Sequence, residues 1–319
     1  MARPGSAGRE QFLGYGACAA AASLWGTGFY WGRIALDEMN VDHMVLYRFL
    51  FACVGMAPVI AMRRVRLTRT EMQTMLLSAF FFVPIQFLLQ FHGLALTTVS
   101  HASLMVGAMP ILLAIAAVLF AGERLDGWSW LALCGSTAGA AMVVLGGTHA
   151  ATGRETPTLT GDLLVIVSLV SALGWILLTK KLMTTHSPPV VTAYTIYAGT
   201  AMLVIWMFIE WLAARLMHQN VAPMPFADVS LKAWVALAIS GLLCTATTTL
   251  LWNWGIHHVP ASRAGVFLNI EPALGSILGV ELLGEKLGPY AWLGGALILA
   301  GAMTLTARGR EPGPEVILE

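Results

Sequence analysis

Charge is what this sequence has least of. Lys, Arg, Asp and Glu make up 11% of its 319 residues, against roughly 25% in soluble domains. That scarcity excludes an ordinary water-facing surface. The net charge of +1, with no basic stripe, argues against nucleic acid as a partner. Cysteine is scarce too: Cys18, Cys53, Cys134 and Cys244 fall in apolar runs, without metal-ligand spacing or a disulfide framework. They read as small buried residues. The G-x-x-x-x-G-K-[ST] phosphate loop is missing, which argues against ATP hydrolysis within the chain. H-E-x-x-H and G-x-S-x-G are missing as well, removing the commonest zinc-protease and serine-hydrolase signatures. No catalytic residue, metal site or cofactor is expected.

What the sequence has is apolar length. Hydrophobic residues reach 57% and the mean hydropathy is +0.74. Requiring about 20 mostly apolar residues per span predicts an all-α membrane protein with helices at roughly 12–32, 43–62, 71–95, 97–120, 127–146, 161–181, 189–212, 231–255, 262–282 and 289–307. The first is too long for a cleaved signal peptide and runs into Tyr30-Trp31.

The sequence also repeats itself. Glu123 and Glu285, Trp130 and Trp292, Gly139 and Gly301 are each 162 positions apart, as are Gly93 and Gly255, Ser100 and Ser262, and Pro110 and Pro272. The expected organisation is a tail at 1–11, a five-helix repeat at 12–147, a linker at 148–160, a second five-helix repeat at 161–307 and a tail at 308–319. Short-loop Lys and Arg favour one side, where Arg63, Arg64, Arg66, Arg69, Lys180 and Lys181 fall. Both termini are therefore expected in the cytoplasm. An odd number of helices per repeat then inverts the second copy, and inverted repeats are a recurrent architecture of alternating-access transporters. A polytopic membrane enzyme and a non-transporting receptor are the competing classes.

Candidate residues follow from the cost of polarity in lipid. Glu271 is the one carboxylate near a span centre, where it either carries a coupling proton or serves as a structural acid. Pro110 and Pro272 occupy matched positions in spans 4 and 9, as hinges beside a cavity or as packing kinks. Gln86 and Gln90 share a face, as do Thr245, Thr249 and Asn253, with Asn269 nearby. These groups either line a cavity or bond between helices. Trp25 and Trp175 hold comparable places in the first helix of each repeat, as cavity walls or packing aromatics. Arg48 is expected to snorkel or to pair with Asp42, and Glu123 and Glu285 to act as caps or gate contacts. Gly28/Gly32, Gly135/Gly139 and Gly275/Gly279 permit close helix approach.

The segment LALTTVSHASLMVGAMPILLAIAAVLFAGERL, its second copy from HHVPASRAGVFLNIEPALGSILGVELLGEKL onward, Trp25-Gly26 and Arg48-Phe49 resemble the drug/metabolite transporter superfamily, in its EamA-type ten-helix exporters. The likeness covers about residues 12–307. It implies a ten-helix basket whose central cavity is lined by helices 1, 3, 4, 6, 8 and 9, with helices 5 and 10 peripheral. It further implies an inner-membrane carrier, a monomer or homodimer, that exports amino acids or other small metabolites, driven by an ion or substrate gradient.

Overall fold

The computed structural model of the chain describes residues 6–63, 65–109, 111–112, 115–116, 127–145, 157–217, 229–259 and 264–308. Every regular element among them is helical, as the apolar runs predict. α1 covers Ser6–Leu36, α2 Val41–Met62, α3 Arg69–Ala95, α4 Val99–Val106 and α5 Gly127–Leu145. α6 covers Leu159–Leu182, α7 Pro188–Leu216, α8 Leu231–His258, α9 Ile270–Leu283 and α10 Pro289–Arg308. A 3-10 segment, Gly265–Asn269, leads into α9. By length and composition α2, α3, α6, α7 and α8 can each cross a bilayer. Pro110, Glu123, residues 148–156 of the expected linker and 309–319 of the expected tail lie outside the described residues.

Short polar residues start the helices where hydropathy gives no edge. Asn40, Thr98, Thr158 and Ser230 each accept a backbone N–H three residues on, and Thr68 with Glu71 forms a capping box on α3. α9 stops at Gly284, whose φ of 66° is left-handed and open to glycine without strain.

Two helices widen at equivalent places in the two copies. Phe81–Phe87 of α3 and Leu242–Thr247 of α8 are π-helical. Pro84 lies in the first stretch and has no N–H to donate, which disrupts the ladder there. The second stretch has no proline. There the Thr245 and Thr247 hydroxyls donate to the carbonyls of Ser240 and Leu242, five residues back.

The halves are built into one another. α1 packs on α8 and α9, while the equivalent α6 packs on α3 and α4. The remaining equivalents meet directly, as α2 with α7, α4 with α9 and α5 with α10. Contacts fix their directions. Gly107 faces Pro272, Gly275 faces Ser103 and Gly279 faces Ser100, so α4 and α9 run antiparallel. Cys53 meets Tyr197 and Thr200 while Val65 meets Tyr194, so α2 and α7 do too. α1 and α9 run parallel: Tyr15 packs on Phe267, and Gly26 on Glu271 and Leu274.

The outer faces suit lipid. Trp128 and Trp130 at the start of α5, and Tyr290 and Trp292 at the start of α10, are exposed at equivalent positions, as in the aromatic belts of membrane interfaces. The glycine pairs divide. Gly275 and Gly279 sit against α4, and Gly139 against α10, but Gly135 has nothing within 4 Å.

Two outcomes follow. A Cβ on Gly139 would fall 2.6 Å from the Gly294 carbonyl, so Gly139→Ala should destabilise the fold by about 1–3 kcal/mol. Gly135→Ala should not, and thermal unfolding in detergent compares them. Separately, the Ser230 hydroxyl and N–H both donate to Glu38, at 2.6 Å each, and hold its carboxyl below the ordinary carboxylate range. A depressed carboxylate contributes stability above its unfolded value that is lost as pH falls through the folded one. The thermal-stability gap between wild type and Glu38→Gln should therefore be widest near neutral pH and close in acid.

Candidate functional site

Among the described residues a cavity lies inside the helices, about 620 Å³ including the open solvent at its mouth. α1, α3, α4, α6, α8 and α9 line it, as the family resemblance implies, and α2 joins them through Arg48. Trp25, Gln86, Gln90, Trp175 and Glu271 all face this space.

Arg48 is the residue the sequence reading placed elsewhere. It neither snorkels nor pairs with Asp42, which meets His92 at 3.1 Å instead. Its side chain is buried, 2% exposed. Nε donates to the Thr245 hydroxyl at 2.7 Å and Nη2 to the Cys244 carbonyl at 3.2 Å. Both acceptors lie in the π-helical stretch of α8. The guanidinium lies over Phe87 and Phe91, 4.9 and 5.0 Å from their centroids, a cation–π arrangement strengthened by the absence of water. Nη1 has no partner among the described residues. A signal was present in the sequence, because an arginine about two turns inside an apolar span marks a functional site by default.

Glu271 stands in the first turn of α9, just past the 3-10 segment, and is 9% exposed. It interacts electrostatically with Arg48, yet among the described residues no ion pair joins the two. Pro272 follows in the same turn, where a missing N–H is tolerated. It is therefore not the mid-helix break expected from the sequence. The irregularity is the change from 3-10 to α geometry.

Aromatic rings make the walls. Trp25 packs on Trp252 at 5.5 Å and Trp175 stacks on Phe82 at 4.3 Å. Trp252 is a wall residue the sequence reading did not single out. Thr245, Thr249, Asn253 and Asn269 are buried but do not line the cavity. Thr245 stands behind Arg48, and Asn253 donates to Thr192 of α7 at 2.8 Å. Thr245 and Asn253 of the α8 stripe thus bond between helices, whereas the Thr249 hydroxyl has no partner among the described residues.

One end of the assembly is tied by contacts across the halves. Glu285 accepts the Val99 and Ser100 N–H groups at 2.8 and 2.7 Å, capping α4 from the loop after α9. Thr158 donates twice to the Leu96 carbonyl, and Thr97 donates to Asp162 at 2.8 Å. His101, fully buried, lies 3.7 Å from Asp162.

The EamA-like transporter family matches residues 12–145 and 159–307. The chain is 27% identical to a protein of Streptantibioticus cattleyicolor named a probable terminal-alkyne amino-acid exporter, over 89% of this chain and 90% of that one. It is 23% identical to an uncharacterized transporter of Archaeoglobus fulgidus, over 89% and 94%. A crystal structure at 17% identity shares the fold, with a TM-score of 0.59 over 93% of this chain and 98% of that one.

Thr245→Val leaves a buried guanidinium N–H without its acceptor and should destabilise the protein by about 1–3 kcal/mol. Thr249→Val should be close to neutral, because the Thr249 hydroxyl has no partner among the described residues. Melting temperatures in one detergent decide between equal and unequal losses.

Proposed function

This chain belongs to the EamA-like transporter family, and on that premise we propose that it is a secondary carrier of the drug/metabolite type. It exports small metabolites, amino acids or related compounds foremost, across the inner membrane. Ten spans are arranged as two inverted five-helix repeats, 12–147 and 161–307, with both termini in the cytoplasm. The antiparallel meeting of equivalent helices, α4 with α9 and α2 with α7, supports that topology. Amino acids lead because a relative is named as a probable exporter of one.

The observation that carries the reading is the cavity itself. Its walls come from both halves, and it encloses two buried charged residues without a direct bond between them. Inverted halves that exchange conformations open such a site to one side and then the other. Glu271 is the proposed carrier of the coupling proton, since a carboxylate buried at that depth is held only if neutralised or paired in each conformation.

Proteoliposomes containing only this protein test the proposal. A panel of radiolabelled amino acids should include at least one that crosses, faster with a pH gradient than without. Glu271→Gln should abolish gradient-driven accumulation, while solute-for-solute exchange persists at higher solute concentration. If no solute crosses under any gradient, the protein is not a carrier; if the mutant still accumulates cargo against its gradient, Glu271 does not carry the proton.

A further inference from the structure

We infer that the gap between Arg48 and Glu271 is the seat for the head group of a zwitterion. Its carboxylate lies on Arg48, its ammonium on Glu271, and its apolar side chain against Trp25, Trp175 and Trp252. The inference rests on the carrier reading and adds the chemistry the cargo must have.

The polar atoms without protein partners point to this occupant. Buried polar groups are nearly always bonded, so each exception asks for an explanation. Four exceptions lie on residues that line this cavity: Arg48 Nη1, Trp175 Nε1, Trp252 Nε1 and Gln86 Oε1. Three of them only donate. A fixed guanidinium with one free N–H edge, in a cavity whose other unpartnered groups are mostly donors, suits an anion with two acceptor oxygens, and a carboxylate is the compact form of that anion. Thr245 and Cys244 take the other guanidinium edge, so Arg48 is oriented before anything arrives, and little ordering is left for the ligand to bring about.

Glu271 supplies the opposite pole. Were the cavity meant only to hold its own charges, the two side chains would meet, because an ion pair left apart in a low-dielectric site forgoes its strongest contact. Among the described residues they do not meet. A zwitterion fits between them and leaves neither charge unanswered. An amine alone leaves Arg48 unanswered, and a carboxylate alone leaves Glu271 unanswered.

The rest of the lining selects the side chain. Among the described residues that line it, only Arg48 and Glu271 are charged; Gln86 and Gln90 are polar, and the remaining surfaces include Phe29, Leu169, Ile176 and Leu268 besides the tryptophans. A charged side chain would be buried there without a partner. An aliphatic, alkynyl or aromatic one would displace water from apolar walls. When the ammonium reaches Glu271 it takes the place of the coupling proton, so cargo and proton occupy the same carboxylate in turn.

Equilibrium binding of radiolabelled L-phenylalanine and L-leucine to the full chain in detergent tests this. Competitors are phenethylamine, which lacks the carboxylate; 3-phenylpropionate, which lacks the ammonium; and L-glutamate and L-lysine. The two apolar amino acids should compete at least about tenfold better than each of the others, because a charged hydrogen-bond partner is lost or a charge is left unpaired. Arg48→Gln should erase the preference over phenethylamine and keep the preference over 3-phenylpropionate. Glu271→Gln should do the reverse. If Arg48→Gln does not fold, the wild-type competition series still decides. Phenethylamine or 3-phenylpropionate competing as well as L-phenylalanine overturns the inference. So does a wild type that binds neither amino acid, or an Arg48→Gln variant that keeps its full discrimination. A protein that moves some solute across liposomes while ignoring these distinctions remains a carrier and loses only this seat.

Discussion

A guanidinium enclosed by apolar helices must be given acceptors by the protein, and the way Arg48 receives them organises the centre of this molecule. In a regular helix each carbonyl already takes an N–H and has only its second lone pair to offer. α8 widens over Leu242–Thr247, where threonine hydroxyls take carbonyls five residues back. The Cys244 carbonyl and the Thr245 hydroxyl are then turned toward α2. The local irregularity and the buried cation explain one another. A π-bulge in a membrane helix is tolerated where it faces protein or a cavity, and such bulges gather at functional sites. Phe87 and Phe91 complete the seat from α3, itself widened around Pro84.

That dependence ties the site to the way the halves are assembled. Arg48 is held by a helix of the other half, and the same is true of Gly26 against Glu271 and Leu274. Any relative movement of the halves must therefore alter the distance or angle between the two charges. A carrier needs this coupling, since a ligand shifts a conformational balance only by as much as it binds one state better than the other.

The sequence showed more of the fold than of the site. The repeat and the apolar runs are local patterns, and the helices begin and end close to the expected spans; the caps Thr98, Thr158 and Ser230 were recognised only in the structure. Glu271, Gln86, Gln90, Trp25 and Trp175 could be singled out because polar or bulky residues stand out in apolar helices, and the fold brings them to one space. The errors share a cause. Periodicity says which residues share a face, but not what that face meets. Thr245, Thr249 and Asn253 do share a face of α8, yet Asn253 turns to Thr192 and Thr245 turns to Arg48. Helix widening leaves no hydropathy signal at all, so the reason Arg48 can stay buried was invisible. Trp252 was overlooked because its partner, Trp25, is distant in sequence.

On the proposed carrier mechanism, the tied end of the molecule sets the scale of energy that cargo has to supply. Glu285 on the Val99 and Ser100 amides and Thr97 on Asp162 join the two halves, and Thr158, the linker residue that caps α6, holds the Leu96 carbonyl. Each bond is worth about 0.5–1.5 kcal/mol net, and those to charged groups up to about 3. Together they hold that end by several kcal/mol. Moving a two-state balance from one side almost fully to the other takes about 5.5 kcal/mol of differential binding. A solute bonded at both charged ends, with its side chain pressed on three tryptophans, can supply energy of that order if only one arrangement of the halves lets it reach all of them. On the proposed seat, separating the two charges inside one cavity therefore serves more than recognition. It makes full binding conditional on the position of the halves, which is the physical requirement for a solute to drive its own release on the other side.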